Sequence, residues 1–173
     1  ITDNANLRIT NILEKFGINK KYVLYVGNAY PHKNLEGLLK AWKIFCEKCG
    51  ENYQLVLAGK KNFFYEKIIK EIQKFRNSEI NNIIFTDFLS DDELSQLYSG
   101  ASLYVFPSLY EGFGLPSLEA MTYGIPVVSS NSSCLPEVLG EGALYFDPEN
   151  YQQMAEVIHT GLTNENIRFE LKE

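Results

Sequence analysis

Cysteine is scarce in this chain of 173 residues: there are three, which cannot all pair, and nothing else suggests a secreted disulfide framework. Cys46 and Cys49 form a C-x-x-C, but a redox motif of that kind usually opens a helix, and this one falls in the last turn before Gly50. A zinc site would want a second pair, and only Cys134 remains. Ordinary helix cysteines in a reducing, cytoplasmic setting are therefore expected. Positive charge is also in deficit. A formal net charge of −6 argues against a general nucleic-acid binder, and no aromatic–basic interleaving offsets it. No apolar run approaches the ~20 residues of a membrane span, and no signal-peptide pattern shows. Linkers, repeats and low-complexity segments are missing too, so residues 1–173 read as a single domain. The chain opens on Ile1-Thr2-Asp3 without methionine and is expected to be an excised piece of something longer.

What is present is an ordinary globular composition, 45% hydrophobic and 22% charged. A domain of this length buries roughly 70% of its unfolded surface. Leu7, Ile9, Ile12, Leu13 and Phe16 mark a first helix closed by Gly17. Tyr22 to Gly27 is a strand, and Asn34 is expected to cap a helix through Leu35, Leu38, Leu39, Trp42 and Phe45. Tyr53 to Gly59 is the next strand, Phe63 to Phe75 a helix, and Ile83-Ile84-Phe85 a short strand. Ser90-Asp91-Asp92-Glu93 is a capping box opening a helix to Tyr98. Leu103 to Phe106 is a strand that stops at Pro107, and a helix starting at Pro116 stops at Gly124. Pro126 to Ser129, a helical turn from Leu135 to Leu139, a strand Ala143 to Phe146 and a helix capped near Asn150 complete the chain. Strand and helix thus alternate six times, and the strands are near-continuous apolar runs. That pattern predicts an α/β, Rossmann-like, doubly wound parallel sheet of about six strands. Ligands in such sheets sit at the carboxyl ends of the strands.

Two loops there look chemically committed. In the first, Asn28 to Asn34, Lys33 lies beside the Gly27 strand end and a helix start, where it could hold a phosphate as a point charge; a solvated loop lysine is the bland alternative. His32 could donate to the same phosphate but is expected to be exposed. The second is Glu111-Gly112-Phe113-Gly114-Leu115-Pro116-Ser117-Leu118-Glu119. Its glycines allow unusual backbone angles and close approach of a ligand, and successive N–H groups of Gly112 to Leu115 could form an anion-binding nest. Glu111 and Glu119 would repel a phosphate, so they should accept bonds from neutral sugar hydroxyls instead. Glu119, placed in the first turn of its helix, could alternatively be a dipole-stabilising acid worth ~0.5 kcal/mol.

The run from Glu111 through Glu119-Ala120-Met121, followed by Gly124-Ile125-Pro126-Val127-Val128, resembles the E-x7-E region of family 4 (group 1) retaining glycosyltransferases of GT-B fold. Val26-Gly27…Lys33-Asn34, Leu57-Ala58-Gly59, Asp91-Asp92-Glu93-Leu94…Leu97-Tyr98…Ala101 and Asn131 to Val138 also fit, so the resemblance covers nearly the whole chain. It implies that Glu111 touches the transferred sugar and is a catalytic residue, and that the backbone of Gly112, Phe113, Gly114 and Leu115 cradles sugar and diphosphate. It further implies that Glu119 binds the ribose, that Lys33 neutralises the diphosphate beside Gly27, that the base sits around Phe88 and Leu89, and that Gly59, at the second strand end, is also donor-binding. Many relatives have Arg where Asn28 stands, and others Arg where His32 stands, leaving Lys60 or Lys61 as substitutes.

The implied activity is metal-independent transfer of a sugar from a nucleotide diphosphosugar, with retention, to a glycan or lipid-linked acceptor. No Asp-x-Asp pair is present to hold a metal, and no cofactor is expected. The style of Ser108-Leu109-Tyr110-Glu111 and Ser130-Asn131-Ser132-Ser133 puts GDP-mannose first and a UDP-sugar second as donor. This chain would be the C-terminal, donor-binding half, inactive without an N-terminal GT-B domain that makes any peripheral membrane contact. The alternatives are a non-catalytic nucleotide-sugar-binding module and a GT-B epimerase or phosphorylase. A nicotinamide-binding domain is disfavoured, because Gly27-Asn28-Ala29 does not supply G-x-G-x-x-G after the first strand.

Overall fold

A computed structural model describes residues 2–75 and 82–171. The elements run α1 (Thr2–Phe16), β1 (Lys21–Val26), a 3₁₀ turn (Pro31–Lys33), α2 (Leu35–Cys49), β2 (Tyr53–Ala58), α3 (Phe63–Phe75) and β3 (Ile83–Asp87). There follow α4 (Asp91–Gly100), β4 (Leu103–Phe106), α5 (Leu115–Thr122), β5 (Val127–Ser130), α6 (Leu135–Leu139), a second 3₁₀ turn (Gly140–Gly142), β6 (Ala143–Phe146), α7 (Tyr151–Thr163) and α8 (Glu165–Glu170). The six strands are all parallel and ordered β3-β2-β1-β4-β5-β6. This is the doubly wound arrangement the apolar runs predict. The order reverses between β1 and β4, the point at which doubly wound sheets form their ligand crevice.

The strands read as unbroken hydrophobic runs because both faces of the sheet are covered. Val23 and Tyr25 of β1 pack with α2, α3 and α7 around Leu38, Trp42, Phe45, Ile68 and Ile158. Tyr22 and Leu24 point the other way, against Ile12 of α1, Leu97 and Tyr98 of α4, and Leu135 of α6. The side chain of Leu7, expected on the inner face of the first helix, lies outside the described residues. The buried Asn82 side chain is paired: its amide donates to the Tyr53 carbonyl at 2.9 Å and accepts from the Trp42 indole at 3.2 Å.

Local rules explain most element ends. The Ser90–Glu93 capping box forms in full, and Asn150 caps α7 by accepting from the Gln153 N–H. Three expectations need correction. Asn34 stands at the start of α2 but makes no side-chain cap; its backbone is left-handed (φ 56°) and its amide reaches elsewhere. Helix α5 starts at Leu115 rather than Pro116, which moves Glu119 into the second turn and removes the dipole explanation for it. Helix α8 follows α7 as a separate element, beyond the last helix that the sequence pattern predicts. All three cysteines are free, and Cys46 accepts a bond from the Asn82 amide at 3.3 Å. No helix among the described residues is long and apolar enough to cross a membrane.

Candidate functional site

The two chemically committed loops leave β1 and β4, the neighbours that flank the reversal in strand order, and they are fastened to each other. The Leu109 N–H donates to the His32 carbonyl at 2.8 Å. The Asn34 amide, free of capping duty, donates to the Pro107 carbonyl at 3.1 Å and the Pro148 carbonyl at 2.9 Å. It therefore ties the loop after β1 to those after β4 and β6. Across the crevice the Lys33 ammonium meets the Glu111 carboxylate at 2.5 Å, and it also lies 5.7 Å from the Phe106 ring.

Buried tyrosine hydroxyls satisfy the carbonyls at the end of β1 and just beyond it. Tyr104 donates to Val26, Tyr65 to Gly27 at 2.8 Å and Tyr25 to Asn28 at 2.7 Å. Burial first, and then the nearby Tyr65 and Glu111, push the Tyr25 hydroxyl well above its ordinary pKa, so it stays a donor. Asn28 spends its side-chain oxygen on the Tyr30 N–H at 3.2 Å. His32 is exposed and stacks on Tyr30 with ring centres 6.0 Å apart.

In the loop after β4, Glu111 is positioned through its own carbonyl, which accepts from the Ser133 hydroxyl at 2.8 Å and the Cys134 thiol at 3.3 Å. Of the two glycines, Gly114 alone needs a left-handed backbone (φ 81°), and a Cβ there would lie 2.6 Å from Leu135. Gly112 has an ordinary φ and open space around it, so only half of the expected glycine strain is present. Among the described residues none accepts a hydrogen bond from the N–H groups of Gly112, Phe113, Gly114 or Leu115. Phe113 and Leu115 are exposed, whereas the hydroxyls of Ser108 and Ser117 are buried without a partner. Unpaired buried hydroxyls cost about 1–3 kcal/mol each.

Beyond β1 the site continues under β2 and β3. Phe88 and Leu89, expected near the base, line one cavity of about 130 Å³ with Gly59, the substitute cation Lys60, Val26, Ala58, Asp87 and Leu94. Gly59 is required by close approach: a Cβ there would sit 1.9 Å from the Gly27 carbonyl oxygen. Asp87 takes a left-handed backbone (φ 66°), and its carboxylate accepts from the Lys61 N–H at 2.9 Å and the Phe88 N–H at 2.8 Å. Those two bonds hold its carboxyl below the ordinary carboxylate value. The Lys61 ammonium pairs with the same carboxylate at 3.8 Å, and Lys60 is the exposed cation lining the cavity.

Glu119 is exposed on α5, and one of its oxygens accepts from the Tyr98 hydroxyl at 3.1 Å. Sequence reasoning missed this tyrosine, and it missed the bridging of Asn34. A tyrosine on the inner face of a helix carries no signal beyond burial, and a loop asparagine gives no hint of partners 73 and 114 residues away.

The family model described as Glycosyl transferases group 1 matches residues 9–173. The chain is 36% identical to the serotype-specific mannosyltransferase WbdA of Escherichia coli, over 99% of this chain and 21% of that protein. It therefore spans about a fifth of that relative's length. Among solved structures, Anabaena Alr3699/HepE in complex with UDP and glucose superposes with a TM-score of 0.79 at 22% identity, over 96% of this chain and 45% of that one. The C-terminal domain of a glycosyl transferase group 1 family protein (LpcC) from Francisella tularensis gives 0.77 at 20% identity, over 96% and 86%.

Proposed function

The chain belongs to the group 1 glycosyl transferases and has the fold of a GT-B C-terminal domain, and from that premise we propose that it binds the nucleotide diphosphosugar for a retaining, metal-independent hexosyltransferase. The observation that carries this reading is the convergence at the strand-order reversal. One cation (Lys33), a run of open N–H groups (Gly112 to Leu115) and two carboxylates (Glu111, Glu119) come together beside a base-sized cavity. The diphosphate would lie on Lys33 and the open N–H groups, the ribose against Glu119, and the base over Gly59 and Lys60, against Phe88 and Leu89. The sugar would lie at Glu111 and the backbone of Gly112 and Phe113.

In this arrangement the chain stabilises the charge that develops on the departing diphosphate. Fixed donors aimed at developing charge are the main lever, and loss of one costs about 3 kcal/mol in comparable sites. Glu111, acceptor-only when ionised, takes hydroxyl protons from the sugar as hydrogen bonds and sets its orientation. The acceptor, a glycan or a lipid-linked glycan, would be held by an N-terminal domain. A relative almost five times longer supports a second domain. Work in the cytoplasm, with membrane contact left to that domain, belongs to the same proposal. Mannose is favoured because the relative named above is a mannosyltransferase. GDP is therefore placed ahead of UDP, the nucleotide in the Anabaena Alr3699/HepE complex.

Calorimetric titration of this chain with GDP, UDP, ADP and inorganic phosphate tests the reading. One diphosphate nucleotide should bind at least about tenfold more tightly than phosphate, the margin that base and ribose contacts worth ~1.4 kcal/mol provide. Equal binding of all four probes would remove the donor site.

A further inference from the structure

Glu119 presents a puzzle that its assigned role does not solve. Its side chain is long and exposed, and among the described residues no cation pairs with it. A free glutamate of that kind samples many rotamers, and a ligand that needs one of them loses affinity to the ordering. What singles out one arrangement is Tyr98. The ring of Tyr98 on α4 is fully buried, stacked on Tyr123 with centres 5.1 Å apart and planes 13° apart, and tilted against Tyr104 at 6.0 Å. Its hydroxyl is the one polar atom of the packed ring, and it donates to Glu119 Oε2 at 3.1 Å. Burial, and next the charge of Glu119, raise the Tyr98 hydroxyl far above its ordinary pKa, so it remains a proton donor throughout the physiological range.

We infer that Tyr98 is a positioning residue, whose buried hydroxyl anchors one oxygen of Glu119 so that the remaining acceptor positions face the ribose diol. A carboxylate offers about four lone-pair sites. One is taken by Tyr98 and enough remain for two ribose hydroxyls. Because the donor is neutral, the bond leaves Glu119 its net negative charge. The inference rests on the reading of Glu119 as the ribose-binding residue.

The test compares GDP with 2′,3′-dideoxy-GDP, and UDP with 2′,3′-dideoxy-UDP, by titration calorimetry against this chain and its Tyr98→Phe, Glu119→Gln and doubly substituted forms. Phenylalanine keeps the ring that packs on Tyr123, and a melting curve checks that the fold is retained. The wild type should prefer the ribose-bearing nucleotide by roughly tenfold or more, and Glu119→Gln should erase most of that preference. Tyr98→Phe should lower the preference about three- to tenfold by weakening the ribose form alone, with the dideoxy form unchanged. A merely structural tyrosine would weaken both forms equally. Once Glu119 is glutamine, adding Tyr98→Phe should change the preference no further. Loss of preference in Glu119→Gln with none in Tyr98→Phe would overturn the positioning role and leave the ribose reading intact. A wild type indifferent to the ribose hydroxyls would overturn both.

Discussion

Lys33 and Glu111 meet at 2.5 Å although they lie 78 residues apart, with 15% and 11% of their side chains exposed. One sits in the loop after β1 and the other in the loop after β4, so the ion pair closes the crevice at the point where strand order reverses. On the proposed reading, Lys33 is the cation for a diphosphate and Glu111 the acceptor for the sugar. A bare nucleotide then has to draw Lys33 away from a carboxylate that also repels its phosphates. A nucleotide sugar offers Glu111 hydroxyls in exchange.

Glu111→Gln should accordingly strengthen binding of the bare diphosphate while weakening binding of the nucleotide sugar. The expected gain for GDP is about three- to tenfold, the range of a partly buried charge–charge contact. Calorimetry with GDP and GDP-mannose reads both arms. Weaker binding of both ligands would mean that Glu111 serves chiefly to position Lys33.

Lys33→Ala separates stability from binding. It leaves Glu111 mostly buried without its cation, so the melting temperature should fall, by about 2–3 kcal/mol of stability. For a domain of this size that is roughly 4–12 °C. Adding Glu111→Gln should recover most of the melting temperature, because the uncompensated charge is gone, whereas nucleotide affinity should rise only by what the lost carboxylate repulsion returns and stay below the wild type. Recovery of full wild-type affinity along with stability would show that Lys33 does not bind phosphate.

Sequence made the sheet legible for a physical reason: strands buried on both faces must be apolar throughout, and Leu103–Phe106 or Leu55–Ala58 can hardly be anything else. The Ser90 capping box was legible because all of its partners lie within four residues. The Glu111–Glu119 motif was legible because its residue types and spacing are close to one another in the chain. What stayed hidden depends on distant partners. Asn34 looks like a cap by type, but its backbone is left-handed and its side-chain NH2 donates to the carbonyls of Pro107 and Pro148, while its oxygen accepts from no N–H of α2. The Lys33–Glu111 pair, likewise, exists only because the reversal in strand order brings the ends of β1 and β4 together. The single-residue shift at the start of α5 was beyond propensity arguments, since Leu115 and Pro116 both suit a first turn.

Asp87 gives the acid limb of stability one identifiable contributor. Its folded-state pKa is depressed, so the stabilisation is present above the unfolded carboxylate value and is lost as pH falls through the lowered folded value. Asp87→Asn keeps the side-chain oxygen that accepts from Lys61 and Phe88 and tolerates the left-handed backbone. The variant should therefore show a shallower fall in melting temperature below about pH 4 than the wild type. The fall will not vanish, because hydrogen bonds and lysines also hold Glu93 and Glu156 below the ordinary carboxylate value. An unchanged slope would mean that the two backbone bonds to Asp87 do not favour its charged form.

Two glycines of the site should respond in opposite ways to one added methyl group. At Gly59 a Cβ would be 1.9 Å from the Gly27 carbonyl oxygen, a backbone atom at the end of a buried strand that cannot move aside cheaply. Gly59→Ala should cost about 1–3 kcal/mol of stability or more, and it should distort the cavity formed with Phe88 and Leu89. At Gly112 nothing lies within 4 Å and the backbone angle is ordinary, so the fold itself gives no reason for glycine. A methyl group there projects from the same open run of N–H groups that the diphosphosugar is proposed to occupy. Gly112→Ala should leave the melting temperature within about 1 °C of wild type, as for a neutral surface change. It should still weaken nucleotide-sugar binding about tenfold, since a single misplaced contact in a close-fitting site costs ~1.4 kcal/mol or more. An alanine that changes neither quantity would move the ligand away from Gly112, and with it the assignment of the backbone between Glu111 and Leu115.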